Sequence, residues 1–501
     1  MEHNAKKWWV LLAVCLIRVM LAIDATALNI AIPVIADEFY ASLTNMQWVA
    51  NAFFILAAMV QILGGHLGDS YGHKKIFLFT VLLFIISSLG AGFSVNEGML
   101  IFFRALQGAS IGIASPLTFV LIFDAFPRKE QAYARSFTVM TMGIALAIGA
   151  PIGGLFVHTI GWRWIFYINL PVGVLCYILT YFNCPSKKGE RKPIDPLGTI
   201  FMVIALFGIT FALNQVQNWG FTSPVFFCFL IGGLLFLFFL YLREKTQRDP
   251  IVDFSLFKKS NFFINNILRL IVQVIFLGVL FFVPLYLQNI AGISAIYSGL
   301  TMFTLTLVMS IVSPSAGKWI DKAGDKKANI LSMTCFLIGS FFSLFLKGEP
   351  NFFLLSIGLI LFGIGIAIAF ISTITGALAT VPDEKIGIAT GVFLTIAWIG
   401  CALGVSLAGT VIAYISRSSL LFHLHEKAIS LTSAQFELAE RAAKGLTPIT
   451  SLIGKIPSFT EIDVMISSVF AKTIHANGWI YILISLIGLI LALSLRNRQK
   501  A

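Results

Sequence analysis

The sequence is divided, from Trp8 almost to its end, into long apolar runs separated by short polar segments. A helix needs roughly 20 mostly apolar residues to cross the hydrocarbon of a bilayer. There the backbone must satisfy its own hydrogen bonds, which leaves helices or closed barrels. Unbroken rather than alternating apolar stretches select helices. Composition agrees, since 58% of the 501 residues are hydrophobic and 12% charged, with a mean hydropathy of +0.91. The expected fold class is an all-α integral membrane protein.

Breaking the chain at Gly, Pro and charge clusters predicts spans near 8–32, 46–68, 76–94, 99–123, 135–158 and 163–182. Two more follow near 196–216 and 224–242, then six near 263–288, 297–320, 328–346, 351–376, 386–416 and 475–495. Fourteen spans imply an N-terminal six-helix bundle in residues 1–185 and two inserted helices with linkers in 186–260. A C-terminal six-helix bundle in 261–501 includes an extracytoplasmic loop at about 417–474. Thr432–Gln435 reads there as a capping box, with Gly445 closing its short helix, and Ser458–Glu461 as a second box. That loop is a solvated connection or a lid over the outer mouth. The first run is too long for a signal peptide and carries Arg18 and Asp24, so it is expected to stay.

The formal charge of +12 does not indicate nucleic acid, because the basic residues lie in short loops. Lys6, Lys7, Lys74, Lys75, Arg128, Lys129, Lys258, Lys259, Lys326, Lys327 and Lys385 fall in loops on one side. The opposite loops carry Asp37, Glu38 and Glu97 with little beyond Arg163 and Lys347. The positive-inside rule then places both termini in the cytoplasm, in an inner-membrane, multi-pass topology. The six cysteines form no metal or redox motif and read as small apolar residues.

Polar residues inside apolar runs carry the functional signal. Asp24 lies about 24 Å along the first helix from Trp8, and such a buried acid is a functional candidate by default. It can hold a proton or a cationic cargo in turn, or be tied to a neighbouring helix. Arg18 lies about 120° round the same helix and aligns better with Asn29. Arg104, Gln107, Ser115 and Thr118 share one stripe of the fourth run, and Asn266, Arg269 and Gln273 share one of the ninth. Both stripes read as cavity walls or as helix-to-helix hydrogen bonding.

A repeat follows the second run of each half. Gly65, Asp69, Gly72, Lys74 and Lys75 recur at the same offsets as Gly317, Asp321, Gly324, Lys326 and Lys327. Transporters built from related halves carry such repeats. A carboxylate near the following helix's amino end is favoured by its dipole, and the lysines are expected to anchor the loop and pair with the aspartate. The two loops read as a cytoplasmic latch.

At these residues the chain resembles the major facilitator superfamily, specifically its 14-helix drug:proton antiporter family. Ile23-Asp24-Ala25-Thr26-Ala27-Leu28-Asn29-Ile30-Ala31-Ile32-Pro33 is similar to that family's first-helix signature, and Arg104-Ala105-Leu106-Gln107-Gly108 to its helix 4 core. Trp162–Gly173 and Tyr286-Leu287-Gln288 are similar to further family patterns. The fifth run reads Gly149-Ala150-Pro151-Ile152-Gly153-Gly154, with the proline one place later than the antiporter hinge has it, and Ser70 and His73 stand where arginine is usual. The resemblance implies gradient-driven export of amphipathic, cationic drugs or toxic compounds, without a cofactor, with Asp24 and Arg104 coupling proton to cargo. Export of one endogenous metabolite, or a non-transporting sensor on the same fold, are the alternatives. No G-x-x-x-x-G-K-[ST] occurs, nor a catalytic triad, so neither ATP-driven transport nor enzymatic activity is expected. Partners are the bilayer, protons and a small lipophilic substrate; a periplasmic adaptor and the oligomeric state stay open.

Overall fold

The computed structural model describes residues 2–41, 43–186, 195–220, 222–247, 250–293, 295–345, 351–426, 429, 431–443 and 459–496. Among them, helices α1 (Glu2–Glu38), α2 (Leu43–Tyr71), α3 (His73–Gly92), α4 (Glu97–Ala125) and α5 (Gln131–Thr159) come first. The one-turn α6 (Trp164–Tyr167) leads into α7 (Asn169–Asn183), and α8 (Pro196–Trp219) and α9 (Pro224–Glu244) follow. Then come α10 (Ser260–Leu285), α11 (Ala295–Ala323), α12 (Asp325–Ser343), α13 (Phe352–Leu378), α14 (Ile386–Glu426), α15 (Ser433–Ala443) and α16 (Phe459–Ser494). The described residues include no strand.

Helix ends follow local chemistry. The Asn96 and Asn351 side chains accept hydrogen bonds from the amides of Met99 and Leu354, 2.8 and 3.1 Å away, capping α4 and α13. α2 gives way to α3 at Gly72 and α11 to α12 at Gly324, whose φ values of 98° and 86° lie where a side chain would be strained.

Thirteen helical segments of the described chain are long and apolar enough to cross a bilayer. The run expected near 328–346 is not among them. Its helix, α12, has 19 residues and opens on Asp325, Lys326 and Lys327, with Asn329 and Ser332 a turn or two later, so its mean hydropathy falls short. It still packs along α13 and α16.

The expected loop at 417–474 is largely helical. α14 continues to Glu426 and α16 begins at Phe459. The first box is present: Thr432 N donates to Gln435 Oε1 at 3.1 Å and Gln435 N to Thr432 Oγ1 at 3.3 Å. The resulting α15 lies against α14 and α16, with Ala439, Ala442 and Ala443 buried and Ser416 donating to the Ala443 carbonyl at 2.7 Å. Gly445, Ser458 and Lys347 lie outside the described residues.

Helices α1–α7 enclose two apolar clusters, one around Phe53, Phe77 and Phe84 and one around Trp162 and Phe166. Helices α10–α16 enclose a larger one around Phe282, Phe336, Phe362 and Phe470. The seam between the two groups is formed mainly by α5 on α11 and α2 on α14. The inserted pair α8–α9 leans on α2 and α14, where Trp48 stacks on Phe211 at 5.6 Å. Arg243 of α9 clasps Asp195 before α8 through bonds of 2.6 and 2.7 Å, which hold that carboxyl below its ordinary value.

Candidate functional site

Asp24 is fully buried on α1, between Ile23 and Ala27 of the packed α1–α5 contact. α5 approaches so closely because it presents glycine: a Cβ on Gly149 would meet Thr26 Oγ1 at 1.9 Å, and one on Gly153 would meet the Ala27 backbone at 2.6 Å. Gly154 has open space around its Cβ position, and α5 runs unbroken through Pro151. Two of the expected hinge glycines therefore serve as a seat for the Asp24 helix.

Asp24 Oδ2 accepts from Arg104 NH1 of α4 in a buried ion pair. Arg104 also donates from NH1 to Gln107 Oε1 at 2.9 Å and from Nε to the Val49 carbonyl at 3.1 Å, and its guanidinium lies 4.4 Å from the Phe53 ring centroid. Gln107 passes the network on to Ser88 Oγ at 2.7 Å. Asp24 Oδ1 is buried without a hydrogen-bond partner. Breaking a buried pair of this kind leaves an uncompensated charge. A carboxylate oxygen with nothing donating to it is the one place in the network with room for a proton.

The polar stripe of α4 is divided. Arg104 and Gln107 serve Asp24, whereas Thr118 accepts from Arg18 NH2 at 2.9 Å and donates to the Ser115 carbonyl at 2.6 Å. Arg18 and Asp24 do not meet, as their angular separation predicted, but both reach α4, at different levels. The side chain of Asn29 lies outside the described residues.

Asn266, Arg269 and Gln273 are all buried on α10. Asn266 Nδ2 bonds the Phe262 carbonyl of its own helix at 2.9 Å, and Gln273 Nε2 reaches Cys401 Sγ of α14 at 3.1 Å. Asn266 Oδ1, Gln273 Oε1 and both Nε and NH1 of Arg269 have no hydrogen-bond partner. The one helix-to-helix bond described for this stripe is that of Gln273, and it leaves these atoms over.

The repeated loops face the seam, and their chemistry differs from expectation. Asp69 caps an amide across the seam rather than one of the helix that follows it: Oδ2 accepts from Ile388 N of α14 at 3.2 Å. Asp321 accepts from Ala132 N and Tyr133 N of α5, at 3.1 and 2.9 Å. Each carboxylate caps the first turn of a helix across the seam, where exposed amides and the helix dipole favour it. The glycines make room. A Cβ on Gly65 would sit 2.2 Å from the Gly387 carbonyl of α14, and one on Gly317 would sit 2.7 Å from the Ala132 carbonyl of α5.

No ion pair among the described residues joins Lys74, Lys75, Lys326 or Lys327 to either aspartate, and Lys74 lies 5.6 Å from the Tyr181 ring centroid. The cation is His73. Its Nε2 is 3.0 Å from Asp69 Oδ1 and its Nδ1 3.3 Å from Asp124 Oδ2. Both nitrogens can donate only from an imidazolium, so the histidine supplies a positive charge where arginine is usual. Asp124 had gone unnoticed in sequence; a carboxylate at the end of α4, on the lysine-rich face, was the signal for it. A cavity of about 500 Å³ opens beside this cluster, lined by Asp69, His73, Asp124, Arg135 and Thr375 among others.

Residues 14–405 match the profile of the Major Facilitator Superfamily. Over 412 residues the chain is 29% identical to the tetracenomycin C resistance and export protein of Streptomyces glaucescens, covering 82% of this chain and 77% of that one. It is 28% identical over 406 residues to the multidrug export protein EmrB of Escherichia coli (strain K12), covering 80% and 79%. Among solved structures, the proton:xylose symporter XylE aligns with a TM-score of 0.62 at 14% identity, over 98% of this chain and 95% of that one, a likeness of fold.

Proposed function

The chain belongs to the Major Facilitator Superfamily, and from that premise we propose that it exports amphipathic small molecules in exchange for protons. It is a multi-pass membrane transporter. The names of its relatives support drug or antibiotic export as the activity class. In this reading the less hydrophobic α12 is the fourteenth span, the two six-helix groups are related halves, and the lysine-rich face with both termini is cytoplasmic. No cofactor is required, because the proton gradient supplies the energy.

The observation that carries the reading is the buried Asp24–Arg104 pair with one carboxylate oxygen unpartnered. A proton on Asp24 cancels the attraction that holds α4 to α1 and frees Arg104, so the pair is a two-state element whose balance follows proton supply. The Asp69 and Asp321 caps close the cytoplasmic side of the seam while the pair is engaged. Everted vesicles test the scheme. A pH gradient, acid inside, is expected to drive accumulation of cargo by the native protein and not by Asp24→Asn. Equal gradient-driven accumulation by both proteins would remove Asp24 from the mechanism.

A further inference from the structure

The acid expected to meet a cationic cargo is already neutralised. Asp24 pairs with Arg104, and no other carboxylate among the described residues pairs with a cation in the interior of the spanning helices. Two cations there have no acidic partner. Arg18 of α1 is half-buried, bonded only to the neutral Thr118 hydroxyl and lying 4.9 Å from the Phe119 ring centroid. Arg269 of α10 is 8% exposed, with Nε and NH1 unpartnered, and lies 3.9 Å from the Phe370 centroid and 5.6 Å from that of Phe393.

The two arginines come from opposite sides of the seam and border one region. Phe119, which lies against Arg18, packs on the apolar cluster that contains Phe393, which lies against Arg269. Magnitudes exclude the ring contacts as a full explanation. A desolvated cation–π contact is worth about 2 kcal/mol, whereas taking an ion out of water costs several kcal/mol after relaxation. A ligand of opposite charge suits this arrangement. Asn266 Oδ1 and Gln273 Oε1, also unpartnered on the Arg269 stripe, leave acceptors for a cargo hydroxyl or amide.

We infer that Arg18 and Arg269 form a binding site for an organic anion, a carboxylate or sulfonate carried on an aromatic body, which completes the charge balance of the seam. This rests on the export reading and names the class of its cargo. The guanidinium groups take the acidic head, and Phe119, Phe370 and Phe393 take the apolar body.

The test uses two fused-ring probes of similar size and opposite charge, naphthalene-2-sulfonate and N-methylquinolinium, titrated calorimetrically into the detergent-purified full chain. The sulfonate is expected to bind at least tenfold more tightly than the quinolinium. A hydrogen bond to a charged group is worth about 1.5–3 kcal/mol, so Arg269→Gln and Arg18→Gln should each weaken sulfonate binding about tenfold or more. Arg269→Lys, which keeps the charge, should retain part of it. Equal or tighter binding of the quinolinium, absence of binding by either probe, or unchanged sulfonate affinity in Arg269→Gln would each overturn the assignment. Binding needs no gradient, so sulfonate binding without gradient-driven transport would refute the export reading alone.

Discussion

Replacing Gly65 by alanine should wedge the lysine-rich side of the seam open without weakening the fold. The added methyl would lie 2.2 Å from the Gly387 carbonyl oxygen, against an ordinary contact of 3.4 Å, so α2 and α14 must part by 3.4 − 2.2 = 1.2 Å at that point. Gly317 is less tight, since its nearest neighbour is at 2.7 Å and the shortfall is 3.4 − 2.7 = 0.7 Å. Overpacking a close contact costs about 1–3 kcal/mol. Gly65→Ala belongs at the top of that range and Gly317→Ala at the bottom, or about 100-fold and 5-fold in the closed-to-open ratio. Alanine is also the better helix former by about 1 kcal/mol, so resistance to heat should hold or rise while closure falls. Closure can be read across Arg128 and Asp383, whose exposed side chains meet at 3.2 Å over the seam. Paired cysteines there, in a Cys228→Ser background, should cross-link readily in the native helices, more slowly with Gly317→Ala and slowest with Gly65→Ala. An unchanged rate, or the reverse order, would mean that helix approach at these glycines does not set closure.

Three further outcomes follow. Asp24→Asn and Arg104→Gln should each destabilise the folded transporter by about 2–4 kcal/mol, the usual 3–5 for breaking a buried pair less about 1 for a residual neutral hydrogen bond. The double variant should lose less than the sum, and a double-mutant cycle with a coupling energy near zero would refute the pairing. His73→Gln should speed opening in the same cross-linking assay and His73→Arg should restore closure; no difference between them would show that charge at this position is idle. Burial opposes the charged form of Asp253, but Lys385 at 2.7 Å and the Ser255 bonds outweigh it and hold that carboxyl below 3.8. Because its folded value is depressed, its contribution is present above the ordinary carboxylate range and lost as pH falls through the folded value. The protection of residues 251–259 against hydrogen exchange, corrected for the intrinsic pH dependence of the exchange itself, should therefore fall as pH drops below the ordinary carboxylate value, and Asp253→Asn should remove that dependence.

The spanning helices were legible because hydropathy and length are properties of a segment by itself. α12 was the instructive case: its buried Asn329 is bonded by Asn265 of α10 and Ser372 of α13 at 2.9 and 2.6 Å, and no window along the sequence contains those partners. The repeated loops gave away Asp69 and Asp321 by residue type. Their targets were not legible, since the capped amides of α14 and α5 lie 319 and 189 positions away in sequence. Asp24 and Arg104 stood out singly as charges in apolar runs. That they pair with one another, while Arg18 and Arg269 have no acidic partner among the described residues, is a fact of three-dimensional pairing, and the anionic cargo proposed from it reverses the charge expected from the sequence.

That reversal of charge has an energetic consequence by which it can be judged. α1 carries Arg18 and Asp24 six positions apart, about 9 Å, and α4 carries their partners Thr118 and Arg104 fourteen apart, about 21 Å. The mismatch is taken up by two long arginine side chains, one crossing from α4 to α1 and the other from α1 to α4, so the proton pair and the anion site share the α1–α4 contact, and a shift of α4 on protonation is felt at both. Exchanging one monoanion outward for one proton inward moves two charges in the same electrical sense. At 100 mV that is about 2 × 2.3, or 4.6 kcal/mol, against about 1.4 for each pH unit. A cation exchanged for a proton moves no net charge and gains nothing from the potential. Proteoliposomes at equal pH on both sides, given a potassium diffusion potential through valinomycin, should therefore drive naphthalene-2-sulfonate toward the positive side through the carrier. The native protein should do this and a protein-free membrane should not. Transport that answers to a pH difference and ignores the potential would leave proton exchange standing and refute the anionic cargo.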